Sequence, residues 1–298
     1  MIPKQRNECQ RIWPEMPDLF DTAGGGPYKG SRMFHSPGAI AFGPLPFLGF
    51  SLTVRWYGIL MASAMALGLW LAYREARRRG IDPDDLLKAS ELGLLGGLIG
   101  ARLYYVAFNL DYYSRFPAKI FAVWEGGLAI HGGVLGGLLL GGGYALWRGL
   151  PAITYLDIAA PSLALGQAIG RWGNFFNEEA FGTPTDLPWR LYISPPHRPP
   201  QYAQEEFFHP TFLYESVWDL LVFVLLVGVF RKRLERAPGA LFLTYLGLYS
   251  VGRFITEALR TDALMLGPIR VAQLASVVGV ALALVGVPLL LRRVRATA

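Results

Sequence analysis

The sequence predicts an all-α, polytopic integral membrane protein with seven transmembrane helices and a small cap on its outer face. Of the 298 residues, 53% are apolar and 17% are charged, and the mean hydropathy is +0.33. Soluble domains carry about 25% charged residues, so this composition excludes the ordinary soluble class. Seven apolar stretches each approach the roughly 20 residues that a helix needs to cross a bilayer: residues 52–73, 89–108, 127–147, 158–176, 212–230, 240–259 and 269–291.

The basic residues predict how these helices are oriented. Clusters of Lys and Arg follow the first, third, fifth and seventh stretches, and short loops rich in these residues stay in the cytoplasm. The N-terminus is then outside and the C-terminus is cytoplasmic. The net charge of +6 is explained by contact with anionic lipid of the inner leaflet, and nucleic-acid binding is not expected. The clusters are Arg74 with residues 77–79, Arg148, residues 231–233 with Arg236, and Arg292, Arg293 and Arg295.

The first forty residues differ from the rest of the chain. Residues 1–40 contain no apolar stretch of signal-peptide length, and we expect a disordered leader or an over-long start before Met33. Residues 41–298 are expected to form the seven-span membrane domain, with residues 177–210 as an outer arm or cap. Cys9 is the only cysteine, which excludes disulfides within the chain and a thiol nucleophile in the membrane domain.

Glycines recur four residues apart in the second and third spans. Gly96 with Gly100 and Gly132 with Gly136 are two such pairs, and this spacing lets helix backbones approach closely. Tight helix packing is the preferred interpretation. A backbone lining for a lipid headgroup near Gly132 and Gly133 is the alternative.

The polar residues of the spans lie in their predicted outer halves. A charged side chain in hydrocarbon costs roughly 2.5 to 3.5 kcal/mol, which favours pairing, a water-filled cavity or a bound polar ligand. Arg253, Glu257 and Arg260 recur at i, i+4 and i+7 in the sixth span, which places them on one helix face. The other candidates are Tyr57, Arg102 and His131 in the first three spans, Arg171, Asn174 and Asn177 in the fourth, and Tyr214 and Glu215 in the fifth.

Each of these residues also has a purely structural interpretation. Together, however, the structural interpretations do not explain why no comparable cluster lies in the cytoplasmic half. The asymmetry favours a site open to the outer leaflet. The structural alternatives are an ion pair of Arg253 with Glu257, pairing of Arg171 with Glu215 or Glu257, a hydrogen-bonded core position for His131, an interfacial aromatic belt for Trp56 and Tyr57, and snorkelling for Arg102.

The types of residue in this cluster point to phosphate recognition. Guanidinium forks match phosphate oxygens bidentately and stay protonated, and a phospholipid headgroup is the obvious phosphate in the outer leaflet. Four scattered histidines without an H-x-x-x-H pair make a poor metal site. The rival function class is a transporter or a phospholipid-binding or flipping protein, although an odd number of spans and an apolar cytoplasmic half count against it. An intramembrane protease is a weaker option, because Ser63 and Asp219 do not make a convincing pair.

Five motifs occur in order between residues 43 and 291. Residues 170–179 read G-R-W-G-N-F-F-N-E-E. The other four are R-W-Y-G at 55–58, G-G-L-A-I-H-G-G at 126–133, H-P-T-F-L-Y-E at 209–215 and G-R-F-I-T-E-A-L-R-T-D at 252–262. Together they resemble the motifs of the bacterial prolipoprotein diacylglyceryl transferases, and residues 170–179 look like the signature of that family.

The resemblance implies a reaction, a location and a set of site residues. The reaction is transfer of the sn-1,2-diacylglyceryl group of phosphatidylglycerol to the lipobox cysteine thiol of a prolipoprotein signal peptide, which forms a thioether and releases glycerol phosphate. The location is the bacterial cytoplasmic (inner) membrane, with the active site facing the outer leaflet, and no metal or other cofactor is expected. The implied catalytic residues are His131, as the first choice for the base that takes the thiol proton, and Arg171 and Arg253, which would stabilise the leaving phosphate. The implied substrate-binding residues are Tyr57, Asn174, Asn177, Glu179, Tyr214, Glu257 and Arg260.

Overall fold

Helices dominate the structure. The computed structural model describes residues 34–47, 50–123 and 126–297. Two π-helical segments, Leu138–Gly142 and Leu226–Phe230, each join two α-helices. The α-helices are α1 (Trp56–Arg78), α2 (Pro83–Ala107), α3 (Leu110–Arg115), α4 (Ile130–Gly137), α5 (Gly143–Trp147), α6 (Ala152–Asn177), α7 (Thr211–Leu225), α8 (Arg231–Leu234), α9 (Ala240–Glu257) and α10 (Val271–Thr297).

Each predicted span overlaps a helical stretch of the structure, and the protein is a multi-pass membrane protein, whereas the number of seven crossings stays a prediction. Three predicted starts are wrong: residues 127–129 precede a helix that begins at Ile130, and residues 52–55 and 269–270 belong to strands. The backbone groups of these strand residues pair with a neighbouring strand instead of a helical turn. Among the described residues, four helices are long and apolar enough to cross a membrane: Trp56–Arg78, Ala152–Asn177, Thr211–Leu234 and Val271–Ala296.

Short strands gather at the ends of the helices. Strand β1 (Phe34–His35) pairs in parallel with β4 (Leu191–Tyr192), which pairs antiparallel with β5 (Phe207–Phe208). Two antiparallel hairpins complete the set, β2 (Ile40–Phe47) with β3 (Phe50–Arg55) and β6 (Met265–Leu266) with β7 (Ile269–Arg270).

The segment between α6 and α7, residues 178–210, packs around a small apolar core that it shares with the two helices. Phe208 and Ile193 are fully buried there, and they cluster with Phe181 and Phe212. The Ser36 hydroxyl donates to the Phe176 carbonyl oxygen at 3.1 Å and ties the β1 end of the chain to the end of α6. Residues 34–40, which the sequence assigned to the leader, therefore contact this part of the fold, and residues 1–33 of the predicted leader lie outside the described residues.

Helices α2 and α4 pack through glycine. A side chain at Gly100 would overlap the carbonyl oxygen of Gly132, and one at Gly96 would overlap that of Gly136. No larger residue fits where the two backbones approach this closely. The tight-packing interpretation of the glycine spacing is therefore confirmed.

Asp157 joins α6 to α9. Its carboxylate, buried within α6, accepts hydrogen bonds from the backbone N–H groups of Gly239 at 2.7 Å and Phe242 at 2.8 Å. The first N–H groups of a helix have no partner within the helix, and a carboxylate at this end is favourable. This clasp fixes the relative position of the helices that carry Arg171 and Arg253.

Candidate active site

A cavity of about 800 Å³, the central cavity, lies among α1, α2, α6 and α9. Its polar residues include Tyr57, Asn174 and three arginines, and most of its remaining lining is apolar. An apolar cavity with a few converging polar groups is the usual form of a small-molecule site. The lining includes Met61, Ala64, Met65, Gly68, Leu69, Ala72, Ser90, Gly93, Leu94, Ala159, Ser162, Leu163, Gly166, Gln167, Gly170 and Tyr249.

The three arginines approach one carboxylate, that of Glu215, and Nη1 of Arg260 is the most distant at 3.8 Å. Glu215 of α7 is 5% exposed, and its Oε2 lies 2.9 Å from Nη1 of Arg171. Its Oε1 accepts a hydrogen bond from Nη1 of Arg253 at 2.6 Å and another from the Thr256 hydroxyl at 3.0 Å. Glu215 therefore holds guanidinium groups from α6 and α9 against the same wall of the central cavity.

The third arginine, Arg260, follows the end of α9. Its Nε and Nη2 donate to the two carboxylate oxygens of Asp262 at 2.9 and 2.7 Å, which is a bidentate pair. Arg253 Nη2 lies 2.5 Å from Oε2 of Glu257, as the i,i+4 spacing predicts. Arg253 and Glu257 thus form an ion pair, and Arg253 lines the cavity as well.

These guanidinium groups are already neutralised. Within the described residues, each arginine of the arginine cluster (Arg171, Arg253 and Arg260) lies near at least one carboxylate. A ligand phosphate must therefore compete with a carboxylate for the N–H donors, which keeps the arginines oriented before a ligand arrives. The carboxylates are Glu215, Asp219, Glu257 and Asp262.

Tyr57 and Asn174 line the same cavity. A Cβ atom at Gly173 would overlap the Tyr57 ring, so this ring lies directly on the backbone of α6. Trp56 stacks on Phe176 with ring centroids 5.0 Å apart. Gly173, one of the two glycines within residues 170–179, is explained by this close approach of α1 to α6.

Asn177 and Glu179 line a second cavity of about 770 Å³. The Asn177 side-chain amide donates to Glu179 Oε1 at 3.2 Å. The second cavity also contains Arg55 and Asp262, and Asp262 is the partner of Arg260. Five of the predicted substrate-binding residues thus line two neighbouring cavities, whereas Tyr214 and Glu257 line neither.

Glu178 fixes one wall of the second cavity. Its backbone is left-handed, with φ of 52°, and its side chain is buried. Its Oε2 accepts hydrogen bonds from the backbone N–H of Ser194, at 3.0 Å, and from the Ser194 hydroxyl, and it lies 2.8 Å from Nδ1 of His197. This contact could not be predicted from the sequence, because no helical or strand spacing relates residue 178 to residues 194 and 197.

His131 does not line the central cavity. It is exposed at the start of α4, with its ring centroid 6.0 Å from that of Tyr104, so the core-histidine alternative is wrong. Its neighbour along the chain, Ile130, does line the cavity.

Tyr214 contacts the segment between α6 and α7 instead of the central cavity. Its hydroxyl accepts a hydrogen bond from Trp189 Nε1 at 2.9 Å and lies 3.3 Å from Nδ1 of His209. Burial lowers the pKa of the His209 imidazole, so this ring is neutral at neutral pH. Tyr214 therefore links α7 to this segment.

The prediction that Arg102 snorkels is wrong. The residue is 6% exposed, and its five described hydrogen-bond partners are all main-chain carbonyl groups. An arginine carries five N–H donors, so these contacts can use the whole guanidinium group. Arg102 fixes the loop that precedes His131. The carbonyl oxygens belong to Lys119, Ile120, Ala122, Gly126 and Gly127, at 2.5 to 3.3 Å.

Comparison with known proteins gives the family. The family model described as prolipoprotein diacylglyceryl transferase matches residues 46–289. This chain belongs to the prolipoprotein diacylglyceryl transferase family. The resemblance of the five sequence motifs is thereby confirmed, and the protein is a transferase.

Curated relatives from several bacteria agree with the family model, and each is named phosphatidylglycerol–prolipoprotein diacylglyceryl transferase. The relative from Trichormus variabilis is 48% identical over 269 residues, which cover 88% of this chain and 93% of the relative. That from Thermosynechococcus vestitus is 49% identical over 249 residues, covering 84% and 91%. That from Thermotoga petrophila is 47% identical over 241 residues, covering 80% of each.

For this member of the prolipoprotein diacylglyceryl transferase family, the residue that sequence reasoning undervalued is Glu215. It was considered only as a partner of Arg171, whereas it contacts Arg253 and Thr256 as well. Glu215 and Asp219 are four residues apart on α7, and both face Arg171. That i,i+4 spacing of two acids in an apolar helix was the available signal.

Proposed function

We propose that this protein transfers the sn-1,2-diacylglyceryl group of phosphatidylglycerol to the lipobox cysteine thiol of a prolipoprotein, the first step of bacterial lipoprotein maturation. The observation that carries the proposal is the central cavity, in which the arginine cluster adjoins an apolar groove. The names of the curated relatives support it, since they contain both phosphatidylglycerol and prolipoprotein.

The arginine cluster binds the phosphate of the donor lipid. The sulfur of the acceptor attacks the glyceryl carbon that carries the phosphate ester, the C–S bond forms, and the C–O bond to phosphate breaks with its electron pair going to oxygen. Negative charge grows on the departing glycerol phosphate. Arg171 and Arg253 stabilise it, because cations that are already oriented need no reorganisation as the bond breaks.

The thiol proton goes to a base, for which His131 is the first choice. A cysteine thiol with a pKa near 8.5 is mostly protonated at neutral pH, and the thiolate is the nucleophile. A neutral imidazole can accept that proton. The support for His131 is its position next to Ile130 along the chain, since Ile130 lines the central cavity.

The remaining predicted residues bind substrate. Tyr57 and Asn174 hold the headgroup or glycerol hydroxyls, and Arg260 contacts the donor near the surface. Glu257 orients Arg253. On the side of the site that faces the segment between α6 and α7, the substrate is bound by Asn177, Glu179 and Tyr214.

The protein crosses the bacterial inner membrane seven times. The N-terminus and the segment between α6 and α7, which forms the cap, are outside, and the C-terminus is cytoplasmic. The alternation of basic clusters along the chain supports this topology. The active site then faces the outer leaflet.

The test uses purified protein in micelles that contain phosphatidylglycerol, with a lipobox peptide and its cysteine-to-serine variant. Release of glycerol phosphate and a diacylglyceryl gain in peptide mass, both only with the cysteine peptide, are expected. A relative with measured activity serves as the positive control. If folded protein binds phosphatidylglycerol but releases no glycerol phosphate, the phospholipid-binding or flipping alternative replaces the transferase.

A further inference from the structure

The central cavity, whose apolar part is called the groove, is deep and narrow. Tyr57 and Ala72 line it on α1, and Asn174 and Ala159 line it on α6. Each pair is 15 residues apart, which corresponds to about 22 Å along a helix axis. The central cavity is therefore deeper than the ~15 Å that one leaflet contributes to a hydrocarbon core of ~30 Å.

The shape of the groove restricts what it can hold. An α-helix about 10 Å in diameter and ~22 Å long occupies roughly 1,700 Å³. The cavity has about 800 Å³ in all, including its polar end. A peptide helix is too large for it, whereas an extended hydrocarbon chain is thin enough.

The lining fits a hydrocarbon chain. Below the arginine cluster, α1 contributes Met61, Met65 and Leu69, and α6 contributes Leu163. Gly166 also lines the groove, and a Cβ atom there would meet no protein atom within 4 Å. A flexible apolar chain can occupy such a space without leaving a buried polar group unpaired.

We propose that the groove encloses one acyl chain of the donor lipid and that its depth sets the longest chain that the enzyme accepts. This inference rests on the proposed function, because it takes the phosphate of the same lipid to lie at the arginine cluster. Gly166 is the specificity-determining position. It lies eight residues from Asn174, or about 12 Å below the polar end.

A series of substitutions at increasing depth tests the proposal. Gly166→Leu fills the groove at about 12 Å, and Ala159→Leu fills it near its end at about 22 Å. Gly143→Leu is the matched control, since Gly143 also has no protein atom within 4 Å of its Cβ position but lies on α5, away from the groove. The measured quantity is the ratio of kcat/KM for dioctanoyl to that for dipalmitoyl phosphatidylglycerol.

We expect Gly166→Leu to raise this ratio by at least about tenfold, the discrimination that one misfitting methylene gives in an apolar pocket. Ala159→Leu should raise it less, and Gly143→Leu should leave it at the wild-type value. An equal loss for both chain lengths in Gly166→Leu, or a raised KM for the peptide with an unchanged ratio, would overturn the proposal. If Gly166→Leu does not fold, Ala159→Leu still tests the chain-length limit at the end of the groove.

Native mass spectrometry separates this inference from the proposed function. Wild-type protein and the variants are purified with an equimolar mixture of dioctanoyl, dilauroyl and dipalmitoyl phosphatidylglycerol. Gly166→Leu should retain shorter lipids than the wild type and Gly143→Leu. If the wild type transfers nothing but Gly166→Leu still retains shorter lipids than the wild type, the proposed function is wrong and the groove assignment holds. If the wild type transfers but both proteins retain the same lipids, the groove assignment is wrong.

Discussion

Replacing Arg102 with lysine should lower stability and activity, although Arg102 does not line the central cavity. The guanidinium group donates to five carbonyl oxygens between Lys119 and Gly127. A lysine has three donors, so at least two of these mostly part-buried carbonyl groups lose a hydrogen bond. At about 0.5 to 1.5 kcal/mol for each lost hydrogen bond, the loss of stability is about 1 to 3 kcal/mol.

The loss should be concentrated in the loop before His131. Gly127 is four residues from His131, and a Cβ atom there would lie 2.7 Å from Nη1 of Arg102, so the loop and the arginine are closely fitted. Hydrogen exchange of residues 119–131 should therefore accelerate in Arg102→Lys, and kcat should fall more than the KM for phosphatidylglycerol rises.

Three measurements check this prediction: thermal unfolding, hydrogen exchange by mass spectrometry, and steady-state transfer kinetics. Arg115→Lys is the control, because Arg115 is exposed at the end of α3 in the same region. Wild-type exchange rates for residues 119–131 in folded Arg102→Lys would refute the reasoning, whatever the activity.

Three further predictions follow from the contacts described. Arg171→Ala should lower kcat by about 10² to 10³, the usual effect of losing one donor to a developing oxyanion. Replacement of the exposed Arg77 with alanine is the control and should leave kcat unchanged. Near-normal turnover of Arg171→Ala would exclude the phosphate-stabilising role. Gly100→Ala should destabilise the protein by about 1 to 3 kcal/mol through overpacking against Gly132. Gly93→Ala is the control and should be tolerated, because its added Cβ atom would lie 3.6 Å from the nearest atom. Equal unfolding temperatures of the two variants would contradict the packing argument. Deletion of residues 1–32 should leave transfer unchanged, and loss of activity in a properly inserted truncate would show that the leader belongs to the enzyme.

Periodicity predicted those features that a single helix determines. The apolar stretches predicted the helices, and the i,i+4 spacing predicted the ion pair of Arg253 with Glu257. The helix starts at residues 52 and 269 were wrong because pairing between strands, which hydropathy does not report, competes with helix formation there.

Contacts between distant segments were not predictable in the same way. The acceptors of Arg102 are 17 to 25 residues further along the chain and are backbone groups, which every residue carries. A lone arginine in an apolar helix does not reveal them. The role of Glu215 likewise depends on three helices meeting at one carboxylate.

The clasp of Asp157 on the start of α9 bears on how a lipid reaches the arginines. Because α6 and α9 are joined at one end by Asp157 and at the other through Glu215, they cannot separate without breaking buried ionic contacts. Helices α2 and α4 are likewise held together by their glycines. A lipid that enters the central cavity therefore meets walls on α6 and α9 that stay in place.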